Sequence, residues 1–219
     1  QGRLHDTENL AAAMTQCSVW SHTLMSPDQL PEVLARAFSI FSSQRPGPVH
    51  LSIPIDVITA AADTVDIKPW SLPTRPAANL DALQRAAVLL QSAKRPVIAL
   101  GGGSADAFTS IQELVERVDA PVTLTHNAKG VIPPGHPLLV ASSPSYKPVR
   151  DLYHDADVVL GIGTEFSETD YDFFFDGGFS LGGSLIRVDI DSAQLSRNAR
   201  PELAICSDSE LAITALLPL

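Results

Sequence analysis

The chain has 219 residues, 45% of them hydrophobic and 18% charged, and carries a net charge of −10. This composition belongs to a folded globular chain, long enough for one large domain or two small ones. The acidic excess argues against nucleic acid as a partner, because neutralising phosphates takes Lys and Arg. No apolar run approaches the ~18 residues of a membrane span, so no membrane partner is expected.

The chain begins at Gln1 without a signal peptide, and QGRLHDTENL reads like the interior of a domain, so a fragment is expected. Cys17 and Cys206 lie far apart without CxxC spacing, which fits two reduced thiols of a cytoplasmic protein. The first predicted helix runs from Pro31 to Ser43, with Val33, Leu34, Ala37, Phe38 and Phe41 on one face. Ser26 or Asp28 is expected to cap its start. RPGPV then turns the chain into VHLSIPI, where Val49, Leu51, Ile53 and Ile55 alternate as in a strand. One helix and one strand cannot bury a core, so residues 1–57 need a packing partner. Residues 58–79 hold Pro69, Pro73 and Pro76 among small and polar residues and read as an ordered linker.

Beyond the linker, Asn79 caps a helix with Leu80, Leu83, Ala87 and Leu90 on one side. Pro96–Leu100 reads as a strand, Ser104–Val118 as a helix and Pro121–Thr125 as a strand. A loop rich in Gly and Pro follows, then strands over 157–163, 184–191 and 203–207. Asp208 opens a closing helix over SELAITALL. Continuous apolar strands separated by helices predict an α/β fold: an open, doubly wound parallel sheet of the NAD/FAD-binding type over residues 80–219.

In such a sheet ligands bind beyond the carboxyl ends of the strands. Gly101, Gly102 and Gly103 stand at one of those ends and would let backbone approach a phosphate. The pattern is G-x-G-x-x-D, however, with Asp106 where a dinucleotide fingerprint has its third glycine. A tight strand-to-helix turn explains the glycines equally well. Asp189 and Asp191 end a strand on one face; Asp191 suits a cap for the turn that follows, while Asp189 could instead accept from a ribose hydroxyl. Glu165, Glu168, Asp170, Asp172 and Asp176 crowd one loop without the spacing of a calcium loop, so no metal site is expected. The six histidines show no i, i+4 pair, and neither a Walker loop nor a G-x-S-x-G elbow occurs.

RPGPVHLSIPIDV, RPVIALGGGS, APVTLTHNAKGVIPPGHPL, DADVVLGIGTEF and LIRVDIDSAQL occur in an order that resembles the thiamine-diphosphate-dependent enzymes of the acetolactate synthase and 2-oxo-acid decarboxylase group. The resemblance implies that residues 1–57 end a pyrimidine-binding domain and that 80–219 form the central domain. It also implies a 2-oxo acid substrate, thiamine diphosphate and Mg²⁺ as cofactors, and a homodimer or homotetramer. The family's cofactor-activating glutamate would lie upstream of Gln1 and its metal and diphosphate motif beyond Leu219, so the chain alone is expected to be inactive. His5, in GRLHD, aligns near the substrate end of the active site and could shuttle a proton.

Some relatives lay FAD across the central domain. The resemblance would place it on Gly101, Gly102, Gly103, Thr125, His126, Gly163, Thr164 and Asp189. Two departures argue against FAD here: LVASSPS replaces a glycine-containing loop, and Glu165 replaces an arginine, setting an anion beside a pyrophosphate. SHTLMSPDQLPEVLARAF and GTEFSETDYDFFFDGGF look more like a decarboxylase subgroup acting on 5-guanidino-2-oxopentanoate than like true acetolactate synthases.

Overall fold

The computed structural model describes residues 8–219. The chain divides between Arg75 and Pro76 into two compact units. In the first, helix α1 (Leu10–Met14), strand β1 (Trp20–Thr23), helix α2 (Leu30–Ser43), strand β2 (Val49–Ser52) and the short helix α3 (Ile55–Ile58) follow in order. The two strands pair in parallel, Trp20 opposite Val49. Strand β1 has no signature in the sequence, because a parallel pair lacks the hairpin turn that would announce it. Strand β2 stops at Ser52, short of the expected Ile55. Pro54 offers no N–H to a ladder and serves as the N-cap residue of α3.

Helix α2 buries a narrower stripe than its apolar pattern suggests. Val33, Ala37 and Ile40 are buried, while Phe38 and Phe41 stand about half exposed and meet edge to face. Neither Ser26 nor Asp28 caps it; the Gln29 side chain instead accepts from the Met25 N–H at 2.9 Å.

The second unit holds a five-stranded parallel sheet. Its strands are β3 (Pro96–Leu100), β4 (Val122–Leu124), β5 (Val158–Ile162), β6 (Ser184–Asp189) and β7 (Leu203–Cys206), in the spatial order β4-β3-β5-β6-β7. This is the open, doubly wound α/β arrangement expected from the sequence, and each strand end supplies the reason for its length. Asn79 caps helix α4 (Leu80–Ser92) by accepting the Asp81 and Ala82 N–H groups, a device worth about 1 kcal/mol. The Asp157 carboxylate accepts the N–H groups of Lys94 and Arg95 at 2.7 and 2.9 Å, which fixes the turn from α4 into β3.

Alternation along β3 sorts the core into two layers. Ile98 and Leu100 pack with helices α4, α5 (Phe108–Val118) and α8 (Ser209–Leu216). Val97 and Ala99 pack on the other face with Val149 and Tyr153 of helix α6 (Lys147–Asp155). Helix α6 is absent from the sequence reading; its inward positions are only two, four residues apart. The helix expected from Ser104 begins as a 3₁₀ turn over Gly102–Ala107 and becomes α-helical at Phe108. Asp208 caps α8 as expected, accepting the Leu211 N–H at 3.1 Å.

The sequence order of the sheet reverses between β3 and β5, which is the topological switch point where such folds open a crevice. Here two glycine turns close on each other. Gly101 donates to the Ile162 carbonyl at 2.9 Å, and Gly103 donates to the Gly163 carbonyl at 3.1 Å. Gly163 has φ +57°, and a Cβ on it would sit 2.5 Å from the Gly103 backbone. No side chain fits between turns that approach so closely. Gly163→Ala is therefore expected to cost about 2 kcal/mol or more in urea unfolding. Gly135→Ala, at φ +89° with nothing within 4 Å, is the control and carries backbone strain alone. Equal losses in the two variants would show that the turn-on-turn contact contributes nothing.

Candidate functional site

Seven of the eight residues singled out for a nucleotide converge at the carboxyl ends of β3, β4 and β5. Thr125 extends the ladder by donating to the Leu100 carbonyl at 2.9 Å, and Gly163 donates to the Val188 carbonyl at 2.8 Å. Gly102 lies against the Asn127 side chain of the 3₁₀ turn His126–Ala128. Asp189 ends β6, one strand further along; its carboxylate accepts the Asp191 N–H at 2.9 Å. Asp191 in turn accepts the Ala193 N–H at 2.9 Å, so it does hold the turn that follows. His5 lies outside the described residues.

Helix α7 (Glu168–Tyr171) is laid across these strand ends by two contacts. Asp170 Oδ1 accepts both the backbone N–H of His126 at 3.1 Å and faces its ring Nδ1 at 3.0 Å. The hydroxyls of Tyr171 and Thr164 lie 3.0 Å apart, both residues being buried. Ser145 adds a third tie, donating to the Asp170 carbonyl and accepting from the Phe173 N–H. The acids of this loop thus do not converge on one point: Asp170 holds His126, whereas Asp172 and Asp176 share Arg150. Asp172 and Asp176 flank the Arg150 guanidinium, and that hydrogen bond holds the Asp176 carboxyl down at about 2. Among the described residues no group of three His, Cys, Asp or Glu side chains could hold a metal.

Beneath α7, Tyr153, Phe166, Tyr171 and Phe179 form one aromatic cluster with ring centroids 4.8–6.2 Å apart. Gly161 makes room for it, since a Cβ there would meet the Phe166 ring at 2.6 Å. Against this cluster lies a residue that the sequence reading passed over. Arg187, in the middle of β6, is only 1% exposed. Its guanidinium donates to the carbonyls of Thr164 at 3.0 Å and Arg197 at 2.6 Å and sits 5.3 Å from the Phe166 ring centroid. Burial pulls its pKa below the usual value, while Asp189 and Tyr171 act to raise it. The signal was present in the sequence: a cation inside the apolar run SLIRVD must find partners, because an unpaired buried charge is very costly.

The N–H groups of Gly101, Gly103 and Thr125 are committed to neighbouring strand carbonyls, that of His126 to Asp170, and the Thr164 hydroxyl to Tyr171. The concave surface nearby is a cavity of about 410 Å³ bounded by Leu124, His126, Lys129, Ile132, Leu139 and Ser143. Its walls are mainly apolar. A second cavity, near Leu90, Arg117 and Leu219, lies away from the strand ends.

The aromatic cluster makes the site sensitive to alkali. Burial pushes both the Tyr153 and Tyr171 hydroxyls well above the usual tyrosine range. A folded pKa above the unfolded value of about 10 stabilises fully below that pH and is lost as pH rises toward the folded values. Urea midpoints should therefore fall from about pH 10 upward. The fall should flatten in a Tyr153→Phe/Tyr171→Phe double variant; an identical fall in that variant would refute the assignment.

Residues 83–216 match the family of the thiamine pyrophosphate enzyme central domain. The chain is 37% identical over 221 residues to a Pseudomonas aeruginosa protein named "Probable 2-ketoarginine decarboxylase AruI", covering 99% of this chain and 38% of the relative. It is 33% identical to acetolactate synthase isozyme 1 large subunit of Escherichia coli, over 88% of this chain and 34% of that protein. The chain thus spans little more than a third of these relatives' length. Benzoylformate decarboxylase from Polynucleobacter necessarius shares the fold, with a TM-score of 0.75 at 24% identity over 91% of this chain and 38% of that one. With residues 83–216 matching that central domain and 37% identity along 99% of the chain, the chain belongs to the thiamine pyrophosphate enzymes and carries their central domain.

Proposed function

We propose that residues 76–219 act as the central domain of a larger thiamine-diphosphate enzyme that decarboxylates or joins 2-oxo acids, and that the unit before Arg75 ends its pyrimidine-binding domain. The observation that carries this reading is the 37% identity to the Pseudomonas protein, which runs through both units and covers 99% of the chain. That likeness also favours 5-guanidino-2-oxopentanoate as the substrate, the compound that the relative's name denotes. The domain's own part is structural: it joins and spaces the domains that hold the cofactor. When bound elsewhere in the enzyme, thiamine diphosphate supplies an electron sink for carbon–carbon bond cleavage or formation. Neither it nor Mg²⁺ is held by the residues of this chain, and the enzyme is cytoplasmic. We further infer that the strand ends carry no FAD, because their donors are already bonded within the fold.

The intact protein, supplied with thiamine diphosphate and Mg²⁺, should release carbon dioxide faster from 5-guanidino-2-oxopentanoate than from pyruvate or benzoylformate. The 219-residue chain alone should release none. Preference for pyruvate would overturn the substrate assignment and leave the family intact. Calorimetry with FAD and ADP should show no binding; saturable binding of either would overturn the structural reading of the crevice.

A further inference from the structure

The proposed activity leaves the cavity beside β4 unused, and the sheet sets where that cavity lies. Val122 donates to the Leu138 carbonyl and Val140 donates to the Val122 carbonyl, both at 2.9 Å. Residues 138–140 thus add a short parallel bridge to the edge of β4. The cavity opens just past the carboxyl ends of β4 and this bridge, where open parallel sheets take up ligands. Leu124, Ile132, Leu139 and Val140 supply its apolar wall. Pro134 and Pro144 also line it, and their fixed φ stiffens both loops, so the space is largely formed before a ligand arrives. At about 410 Å³ it falls within the usual range of small-molecule sites.

The polar groups of this cavity favour one sign of charge. Lys129 is the only Lys, Arg, Asp or Glu that lines it, in a chain of net charge −10. Its side chain is exposed and has no hydrogen bond or ion pair among the described residues. Asp170, the acid that reaches the lining residue His126, already accepts its backbone N–H and faces its ring. The Ser143 hydroxyl oxygen accepts the Ser145 N–H at 3.3 Å, while its own O–H has no acceptor among the described residues. A cation and a hydroxyl donor beside an apolar wall match a carboxylate head on an apolar tail. The second cavity lacks this bias. Asp119 lines it together with Arg117, whose guanidinium is engaged by Glu113 at 2.9 Å and by the Leu217 carbonyl.

We propose that this cavity is a binding site for a small apolar monocarboxylate, with a straight-chain fatty acid the size of octanoate as its type. About ten non-hydrogen atoms at ~30 Å³ each, the share of a liquid water, fit within it. The Lys129 ammonium pairs the carboxylate at the rim, the Ser143 hydroxyl donates to it, and the tail lies along Leu124, Ile132, Leu139 and Val140. Removing the tail from water supplies most of the affinity, and the exposed ion pair adds a smaller share and the selectivity for an anion. A dicarboxylate or a polyphosphate is disfavoured, because no second Lys or Arg lines the cavity. The site needs neither thiamine diphosphate nor a 2-oxo acid, so it stands or falls apart from the proposed activity.

Calorimetry of the 219-residue chain with octanoate tests this directly. Saturable one-to-one binding is expected with a dissociation constant of about 0.1 mM. Hexanoate, shorter by two methylenes, should bind about tenfold more weakly. Lys129→Met should weaken octanoate about fivefold and leave the neutral analogue octanol unchanged, whereas Lys129→Arg should keep most of the affinity. Lys129 is exposed, so these variants leave the fold alone. Leu139→Trp fills the cavity and should abolish binding of both ligands, with circular dichroism checking its fold. Backbone amide resonances of Gly130, Gly135 and Ala141, which line the cavity, should shift on titration. No saturable binding below about 5 mM overturns the proposal. So does octanoate binding unmoved by Lys129→Met, or amide shifts confined to the cavity near Arg117.

Discussion

Gly103 donates its N–H to the Gly163 carbonyl across the point where the sheet reverses its strand order, and no side chain separates the two turns. The strand ends take their places around that contact. It sets the start of the 3₁₀ turn that leads into α5, and it leaves Thr164 aimed at Tyr171. Tyr171 anchors α7, Asp170 of α7 holds His126, and the loop beyond carries the exposed Phe173, Phe174 and Phe175. A residue with a Cβ at Gly163 would push apart the backbone from which all of these hang.

The same contact explains why a nucleotide-like motif need not hold a nucleotide. Glycine serves close backbone approach, and the thing approached can be a phosphate or another backbone. Here it is another backbone: the N–H groups of Gly101 and Gly103 bond the carbonyls of Ile162 and Gly163. Arg187 completes the arrangement from below. Its guanidinium ties the turn after β5, through the Thr164 carbonyl, to the turn after β6, through the Arg197 carbonyl. A buried cation with several acceptors positions backbone in a way that an apolar side chain of equal volume could not.

The fold was largely legible because its signals are local. Apolar strands, capping residues Asn79 and Asp208, and glycine turns each act within a few residues of themselves. What escaped were elements defined by distant partners. Strand β1 exists because β2 lies beside it in parallel, and α6 because Val149 and Tyr153 fill the sheet face under the aromatic cluster. The face of α2 was misjudged for the same reason: periodicity lists the residues that could be buried, and the available partner covers only Val33, Ala37 and Ile40.

The sequence by itself determined the α/β class, the strand ends as the place of interest, and the family, through five ordered stretches that no single motif could replace. Tertiary structure alone decided what those strand ends do with their hydrogen-bonding groups. Whether a glycine N–H faces solvent or a carbonyl of the next strand depends on how two turns some sixty residues apart meet. That meeting is set by sheet order and packing, and neither property is written in the residues of either turn.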